Sequence, residues 1–336
     1  MRARLVAIAI SIALIGAFFV ARIGPSVAPD FPTNMLIADQ SQVVIDIPNG
    51  SSGSEIAQLL FENSVVKSSA AFFRVAVGDK RSEKIAPGNH RLSQNISALQ
   101  ALEQLLDPNR IPNLIRIYEG GWKSEVVTAL VNYGFAKPEI GKALVAVVLP
   151  KGFKDSEGLL FPAQYTFAKG TTALQAVQAM IDRFMAEPSA QQILSGDKEF
   201  DPLQLLTIAS IVQAEGRPQD FAQVSRVIRN RISVGMPLQM DSTVHFVMKL
   251  RGEIFLSSKS TTLSSAYNTY RKYGLPPGPI GSPGAAAMTA ALNPAVGDWL
   301  YFVTVAPGDT RFTKSFDEFN AWKALYVKNR KAGVFK

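Results

Sequence analysis

The sequence predicts an α+β protein in three parts: an N-terminal transmembrane helix, a small βααβ unit and a larger mixed α+β domain. Three observations carry this. An unbroken apolar run fills residues 5–21. Between residues 43 and 93 an alternating stretch, two helix-spaced stretches and a return stretch follow one another. Beyond residue 111, apolar helices interleave with short strands and with loops punctuated by Gly and Pro. The boundaries follow: 1–24 anchor, 25–41 linker, 42–110 small unit, 111–336 larger domain.

In the opening MRARLVAIAISIALIGAFFVARIG, Arg2 and Arg4 precede the apolar run and Arg22 follows it. Its seventeen residues, at about 1.5 Å each, reach roughly 25 Å, near the lower limit for crossing the hydrocarbon core. The alternative is a cleaved secretory signal with Ser26-Val27-Ala28 as its small-residue site; the length of the run and Pro29 directly behind Ala28 speak against it. An anchor held by Arg2 and Arg4 in the cytoplasm sends the rest outward. The expectation is a single-pass inner-membrane protein with its bulk on the periplasmic side.

Composition removes several chemistries. The 336 residues allow two or more domains, and 47% hydrophobic with 18% charged residues describes an ordered protein. There is no cysteine, which excludes thiol catalysis, disulfides and Cys-based metal sites. His90 and His245 are the only histidines, too few for a His-rich metal site or a Ser–His–Asp triad, and both read as packing residues. No metal and no cofactor are expected, so acid–base work falls to Asp, Glu, Tyr or Lys. The net charge is +8, but Lys and Arg form no run of five. The excess reads as a solvated basic surface, with weak attraction to a membrane or an anionic glycan left open and no nucleic-acid partner expected.

VVIDIPNG (residues 43–50) alternates and ends in a turn, hence a strand. Residues 53–63 put Ile56, Leu59 and Leu60 at helical spacing with Ser54 as the expected cap; residues 68–77 make a second helix and 88–93 a return strand. Seventy residues on, part of this returns. IDIPNGSSGSEIAQLL (45–60) aligns without a gap to IRIYEGGWKSEVVTAL (115–130) with six identities in sixteen. This reads as an internal repeat, the alternative being two unrelated strand–turn–helix units, and only the first copy is expected to continue into a second helix and a return strand. EGLLFPAQYTF (157–167) turns into a strand, and 172–185 form an amphipathic helix. Residues 202–215 are apolar almost all round, so that helix is buried. In the next, 220–233, Val224, Val227, Ile228 and Ile232 share a face, Arg226, Arg229 and Arg231 lie largely off it, and Gly235 is its stop.

The buried helix closes on a single carboxylate, Glu215, ahead of Gly216 and Pro218. The partial negative charge of a helix C-terminus and apolar neighbours both disfavour its ionised form and raise its pKa. A carboxyl kept protonated near neutral pH suits a general acid in glycosidic cleavage. The plainer reading is a Glu that reaches into solvent beside a helix-ending Gly. Behind it, residues 228–244, 266–284 and 290–303 place Asn, Gln, Asp, Thr and Tyr in loops braced by Gly and Pro, which suits a sugar and also suits ordinary turns.

From residue 208 to 312 these motifs resemble the endolytic murein transglycosylases of the MltG (YceG-like) group. They are ASIVQAE (209–215), NRI (230–232), GMPLQMDSTV (235–244), AYNTY (266–270), GLPPGPI (274–280) and ALNPAVGDWLYFV (291–303). The resemblance implies cleavage of the MurNAc–GlcNAc bond inside a glycan strand, a 1,6-anhydro end, Glu215 as the single acid, and a LysM-like character for the unit over 42–110. It implies sugar contacts at Gln239, Asp241, Thr243, Tyr267, Asn268, Tyr270 and Glu157, and proximity to peptidoglycan synthases. Gln239 and Asp241 could equally cap a turn. The chain departs from the pattern at Gln213, where members often carry a second acid, at Ser242 within the DPT motif, at Ala163 and near Arg311. The alternatives are a non-catalytic wall-binding scaffold and a hydrolytic muramidase, the latter opposed by the lack of a clear second acid.

Overall fold

The computed structural model of the chain describes residues 28–33, 41–48, 50–112, 114–251 and 259–335. These are mixed α+β, with twelve α-helices and three two-stranded antiparallel sheets. The expected anchor, residues 1–24, lies outside them; among the described residues no helix is long and apolar enough to cross a membrane. The chain divides into two units, one of Met1–Leu114 with Thr166–Gly170 and one of Ile115–Tyr165 with Thr171–Lys336.

The first unit runs β1 (Gln42–Ile47), α1 (Gly53–Glu62), α2 (Ser69–Gly78), β2 (Gly88–Ser93), α3 (Ala98–Leu106). β1 and β2 pair antiparallel with Ile45 opposite His90. Their inward residues meet the helices in a core that includes Ile45, Ile47, Leu60, Phe72, Leu92 and Leu102. The cap of α1 is Ser52 rather than Ser54: its hydroxyl accepts the Glu55 N–H at 3.3 Å while Glu55 accepts the Ser52 N–H at 2.6 Å. This reciprocal pairing starts the helix one residue before Ser54. Part of the expected linker is docked, since Asp30 accepts the Ala98 N–H at 3.0 Å and Pro29 the Ser68 hydroxyl at 2.8 Å. His90 is fully buried and its Nε2–H donates to the Ala86 carbonyl at 2.7 Å, a packing role.

The second unit opens on β3 (Ile115–Arg116), α4 (Lys123–Tyr133), α5 (Lys137–Ala146) and β4 (Gln164–Tyr165), with β3 antiparallel to β4. The second copy of the repeat therefore does continue into a second helix and a return strand, contrary to the expectation. The strand expected within 157–167 is this return strand; its pairing with β3 across about fifty residues has no local signal, since strands of two residues carry no alternation to match. The alignment itself has a physical meaning. α1 and α4 begin at matching positions, Gly53 and Lys123. Glu125 accepts the Trp122 N–H at 2.7 Å as Glu55 does that of Ser52. Gly50 and Gly120 both sit at positive φ, +80° and +74°, where a side chain is strained. The other matched apolar pairs, Ile45/Ile115, Ile47/Ile117 and Leu60/Leu130, are all buried. Four of the six identities thus fix a strand, a turn or a helix start, and a fifth, Leu60/Leu130, the buried face of the helix.

Then come α6 (Ala173–Ala186), α7 (Pro188–Ser195), α8 (Pro202–Glu215), α9 (Phe221–Ser233), α10 (Asp241–Met248), α11 (Ala285–Leu292), the β5–β6 hairpin (Tyr301–Ala306, Asp309–Thr313) and α12 (Phe316–Lys331). α8 is the hub. Asp201 caps it through the Gln204 N–H at 2.9 Å, and every residue from 205 to 212 is buried among α7, α9, α10 and α11.

The arginines of α9 are not a solvated face. Arg229 and Arg231 are buried, and the polar side of the helix grips the backbone of residues 291–300. Arg226 donates to the Ala295 carbonyl, Arg229 to Ala291 at 2.8 Å, Asn230 to Trp299 at 2.9 Å, and Arg231 to Leu300 at 2.6 Å and to Leu238. Charged side chains lying off the apolar face of the helix here satisfy carbonyls of the end of α11 and of the loop behind it. Arg229 is further matched by Asp197 at 2.7 Å.

Candidate active site

Three polar side chains near the end of α8 each receive a loop. Ser210 accepts the Ile280 N–H at 3.0 Å, and Gln213 accepts the Gly284 N–H at 3.0 Å. Glu215, the last residue of α8, accepts from Ser242, N–H at 3.1 Å and hydroxyl at 2.6 Å. Gln213, the departure two residues before Glu215, therefore pins a loop. Gly158 lies so close to the 274–280 loop that a Cβ would sit 2.6 Å from that of Pro279. Two of the sequence motifs are locked together there.

The segment 239–243, which leads into α10, is zipped to the loop 268–270. Gln239 donates its N–H to the Thr269 carbonyl at 3.1 Å, Met240 donates to the Thr269 hydroxyl at 3.0 Å, and the Thr243 hydroxyl donates to the Met240 carbonyl at 2.7 Å. Thr243 is fully buried in this zip. Asn268 is fully buried too, donating to the carbonyls of Thr261 at 3.0 Å and Leu263 at 2.7 Å and accepting the Tyr270 N–H at 3.0 Å. Expected as sugar contacts, both have their polar atoms committed inside the protein and act as fasteners. What they present is Asp241, Ser242 and Tyr270, the Tyr270 hydroxyl donating to Asp241. Gln239 is exposed at φ +50°, a left-handed backbone that a non-glycine residue rarely adopts.

The electrostatics of Glu215 follow from this geometry. Burial pushes its carboxyl up; the two Ser242 hydrogen bonds pull against that, the Asp241 charge adds to it and Arg231 opposes it, with the net direction upward. Tyr270 is pushed up as well, by burial first and then by its bond to Asp241. Sequence reasoning passed over Ser242 as a mild change and missed Arg231. The signal for the first was the departure itself, since a Ser at that place brings an N–H and a hydroxyl that a Pro lacks.

Glu157 and Tyr267 belong to a neighbouring cluster. Glu157 accepts the N–H of Lys123, the first residue of α4, at 3.0 Å. Burial pushes it up to about 7 despite that bond. Tyr267 packs on Phe246, which meets Trp122 edge-on at 5.9 Å. The fold favours the protonated form of Glu157, so its contribution to stability is present below pH 4.5 and is lost as pH rises through about 7. Glu157→Gln keeps an acceptor for Lys123 but cannot ionise. Melting temperatures measured across that window should fall less steeply in the variant than in the wild type.

Among the described residues no group of three His, Asp or Glu side chains could hold a metal ion. The site offers one desolvated acid at a helix end, a neighbouring carboxylate tied to a tyrosine, and phenols on pinned loops. The sequence profile described as the YceG-like family matches residues 45–324. The chain belongs to the YceG-like family. It is similar to the "Endolytic murein transglycosylase" of Bacillus subtilis, 30% identical over 314 residues, covering 87% of this chain and 86% of the relative. A pneumococcal protein of the same name (Streptococcus pneumoniae serotype 2) is 27% identical over 86% of this chain, which spans 59% of that longer relative. The crystal structure of a putative YceG-like protein of Listeria monocytogenes superposes with a TM-score of 0.55 at 28% identity, covering 84% of this chain and 99% of that one.

Proposed function

We propose that the chain is an endolytic murein transglycosylase that cleaves the MurNAc–GlcNAc bond within glycan strands and leaves 1,6-anhydro-MurNAc ends, with Glu215 as its acid and base. The observation that carries this is the Glu215 carboxyl, desolvated at the end of a buried helix and held toward its protonated form. In the first step Glu215 gives its proton to the glycosidic oxygen as that oxygen leaves C1. In the second, the Glu215 carboxylate takes the proton of the MurNAc 6-hydroxyl as its oxygen bonds to C1. The proton lost in the first step is recovered in the second, and no water is consumed. Two demands meet on one group: protonation before the cut, ionisation after it. Burial serves the first and the two Ser242 donors serve the second.

Glycoside hydrolases divide this work between two carboxylates. An attacking hydroxyl on the substrate itself gains from proximity and makes a second carboxylate unnecessary. Asp241 is the carboxylate whose charge reaches Glu215, and its bond to the Tyr270 hydroxyl supports a role in shaping the site. Gln239, Tyr267 and Tyr270 are proposed sugar contacts, and Glu157 a neighbour that responds to pH. The unit of β1, α1, α2 and β2 is proposed to be LysM-like and to grip glycan. The apolar run at 5–21 is proposed to anchor the chain in the inner membrane with its bulk outside, within reach of peptidoglycan synthases.

Mass spectrometry of uncross-linked glycan strands incubated with the protein tests the reading. Mid-chain fragments ending in anhydro-MurNAc support it. Fragments heavier by one water would make it a hydrolase with Asp241 as the second carboxylate, and bound but intact strands would make it a scaffold.

A further inference from the structure

A pocket of about 470 Å³ opens on β3 and α4, wholly inside the second unit, and the proposed chemistry makes no use of it. One wall is fixed. Arg251 donates to Glu125 at 2.9 and 2.7 Å and to the Gly120 carbonyl at 2.8 Å, and its guanidinium lies 3.8 Å over the Trp122 ring. Of the other lining side chains, Thr128 donates to the Ser124 carbonyl at 3.0 Å, and the Glu119 carboxyl lies against Gly284, where a Cβ would meet it at 2.0 Å. Arg116 and Glu119 are exposed and have no ion partner among the described residues, and the Tyr118 ring is 72% exposed.

The internal repeat shows that the fold does not ask for these three side chains. Where the second copy has Arg116, Tyr118 and Glu119, the first has Asp46, Pro48 and Asn49, although the isoleucines, the turn glycine and the capping glutamate around them are identical. An exposed phenol beside a guanidinium and a carboxylate without ion partners among the described residues is not required by the β–turn–helix frame that the first copy builds from other residues. It is, however, what a ligand with charges of both signs and an aliphatic body requires.

The pocket also adjoins the acid. Gly121 lines the pocket, and its neighbour Gly120 lies on α8, where a Cβ would be 3.5 Å from Cγ of Gln213, two residues from Glu215. α10 begins beside Glu215 at Asp241 and Ser242 and ends at Met248, three residues before Arg251, so one short element joins the acid to the pocket wall.

We propose that this pocket is a subsite for the peptide stems that murein glycan carries. Arg116 takes a peptide carboxylate in its fork, Glu119 takes a peptide amine, and Tyr118 covers the aliphatic stretch between them. The assignment rests on the murein-cleaving reading above. The lactyl carboxylate of a peptide-free MurNAc shares the anionic chemistry but offers no amine and no chain.

The test compares the full chain with its Arg116→Ala and Tyr118→Ala variants on two substrates: strands bearing stems, and the same strands stripped of them by an amidase. Binding of a free stem peptide is followed by calorimetry. The wild type should prefer stem-bearing strands by about 10-fold in KM, the scale of one charge-assisted contact. Arg116→Ala should reduce that preference to near one and weaken the free peptide about 10-fold, with an unchanged melting temperature. A preference that survives both substitutions overturns the proposal and assigns the pocket to sugar or lactyl groups. If the wild type binds the free peptide through Arg116 yet cuts neither substrate, the subsite stands and the murein-cleaving reading falls.

Discussion

Glu215→Gln should lower glycan cleavage by about 100-fold or more, the scale of a lost general acid, while leaving the unfolding transition in place. Gln keeps the volume of the side chain and an oxygen for the Ser242 N–H and hydroxyl, so the local hydrogen bonds survive. What it removes is the proton. Turnover of defined glycan strands, measured beside a thermal melt, checks both halves; full activity in the variant would sink the role. The pH profile gives a second check. Cleavage needs protonated Glu215 in its first step, so activity should fall as pH rises through the upward-shifted pKa. The Ser242 hydroxyl opposes that upward shift. Ser242→Ala should therefore move the alkaline limb to higher pH, and a limb that stays in place would mean that another group sets it.

The sequence made α8 legible to both ends because its signals are local: Asp201 and Pro202 at the start, an unbroken apolar surface, and Gly216 at the stop. Glu215 stood out for the same reason, as a charge where the apolar pattern ends. What surrounds it was not local. Ser242 lies 27 residues away and Arg231 finds its carbonyl 69 residues on, and no periodicity encodes such pairings. Polar residues in Gly- and Pro-braced loops were the deepest ambiguity. Asn268 and Tyr270 stand two apart in one motif, yet one fastens the loop from inside and the other faces Asp241. Residue type says that both can hydrogen-bond, and only burial says with what. The repeat was half legible: its matched residues set strand, turn and cap, while its divergent residues, which line a pocket, had no local signal at all.

The arginines of α9 show the same limit and carry the second large expectation. Arg231 is 6% exposed and supplies donors to the carbonyls of Leu300 and Leu238. It thereby joins α9 to the strand-leading loop on one side and to the loop before Asp241 on the other. Arg231→Ala leaves both carbonyls without these donors and a void where the side chain lay, and should cost about 2–6 kcal/mol, the sum for two buried acceptors left unsatisfied. That is a large share of the roughly 5–15 kcal/mol that holds a typical domain together. Urea unfolding followed by tryptophan fluorescence reads it cleanly, because Trp122, Trp299 and Trp322 all belong to the second unit. Arg231→Lys should recover only part of the loss, since an ammonium keeps the charge but not the fork that spans two carbonyls. A third variant, Arg231→Met, set beside Arg231→Lys, separates structure from electrostatics. Arg231 is the positive group that lowers the Glu215 pKa. Arg231→Met should raise the alkaline limb of activity while Arg231→Lys holds it near the wild-type position, at temperatures where both remain folded. A midpoint in urea unchanged by Arg231→Ala would show that the clamp on residues 291–300 is carried by Arg226, Arg229 and Asn230 alone.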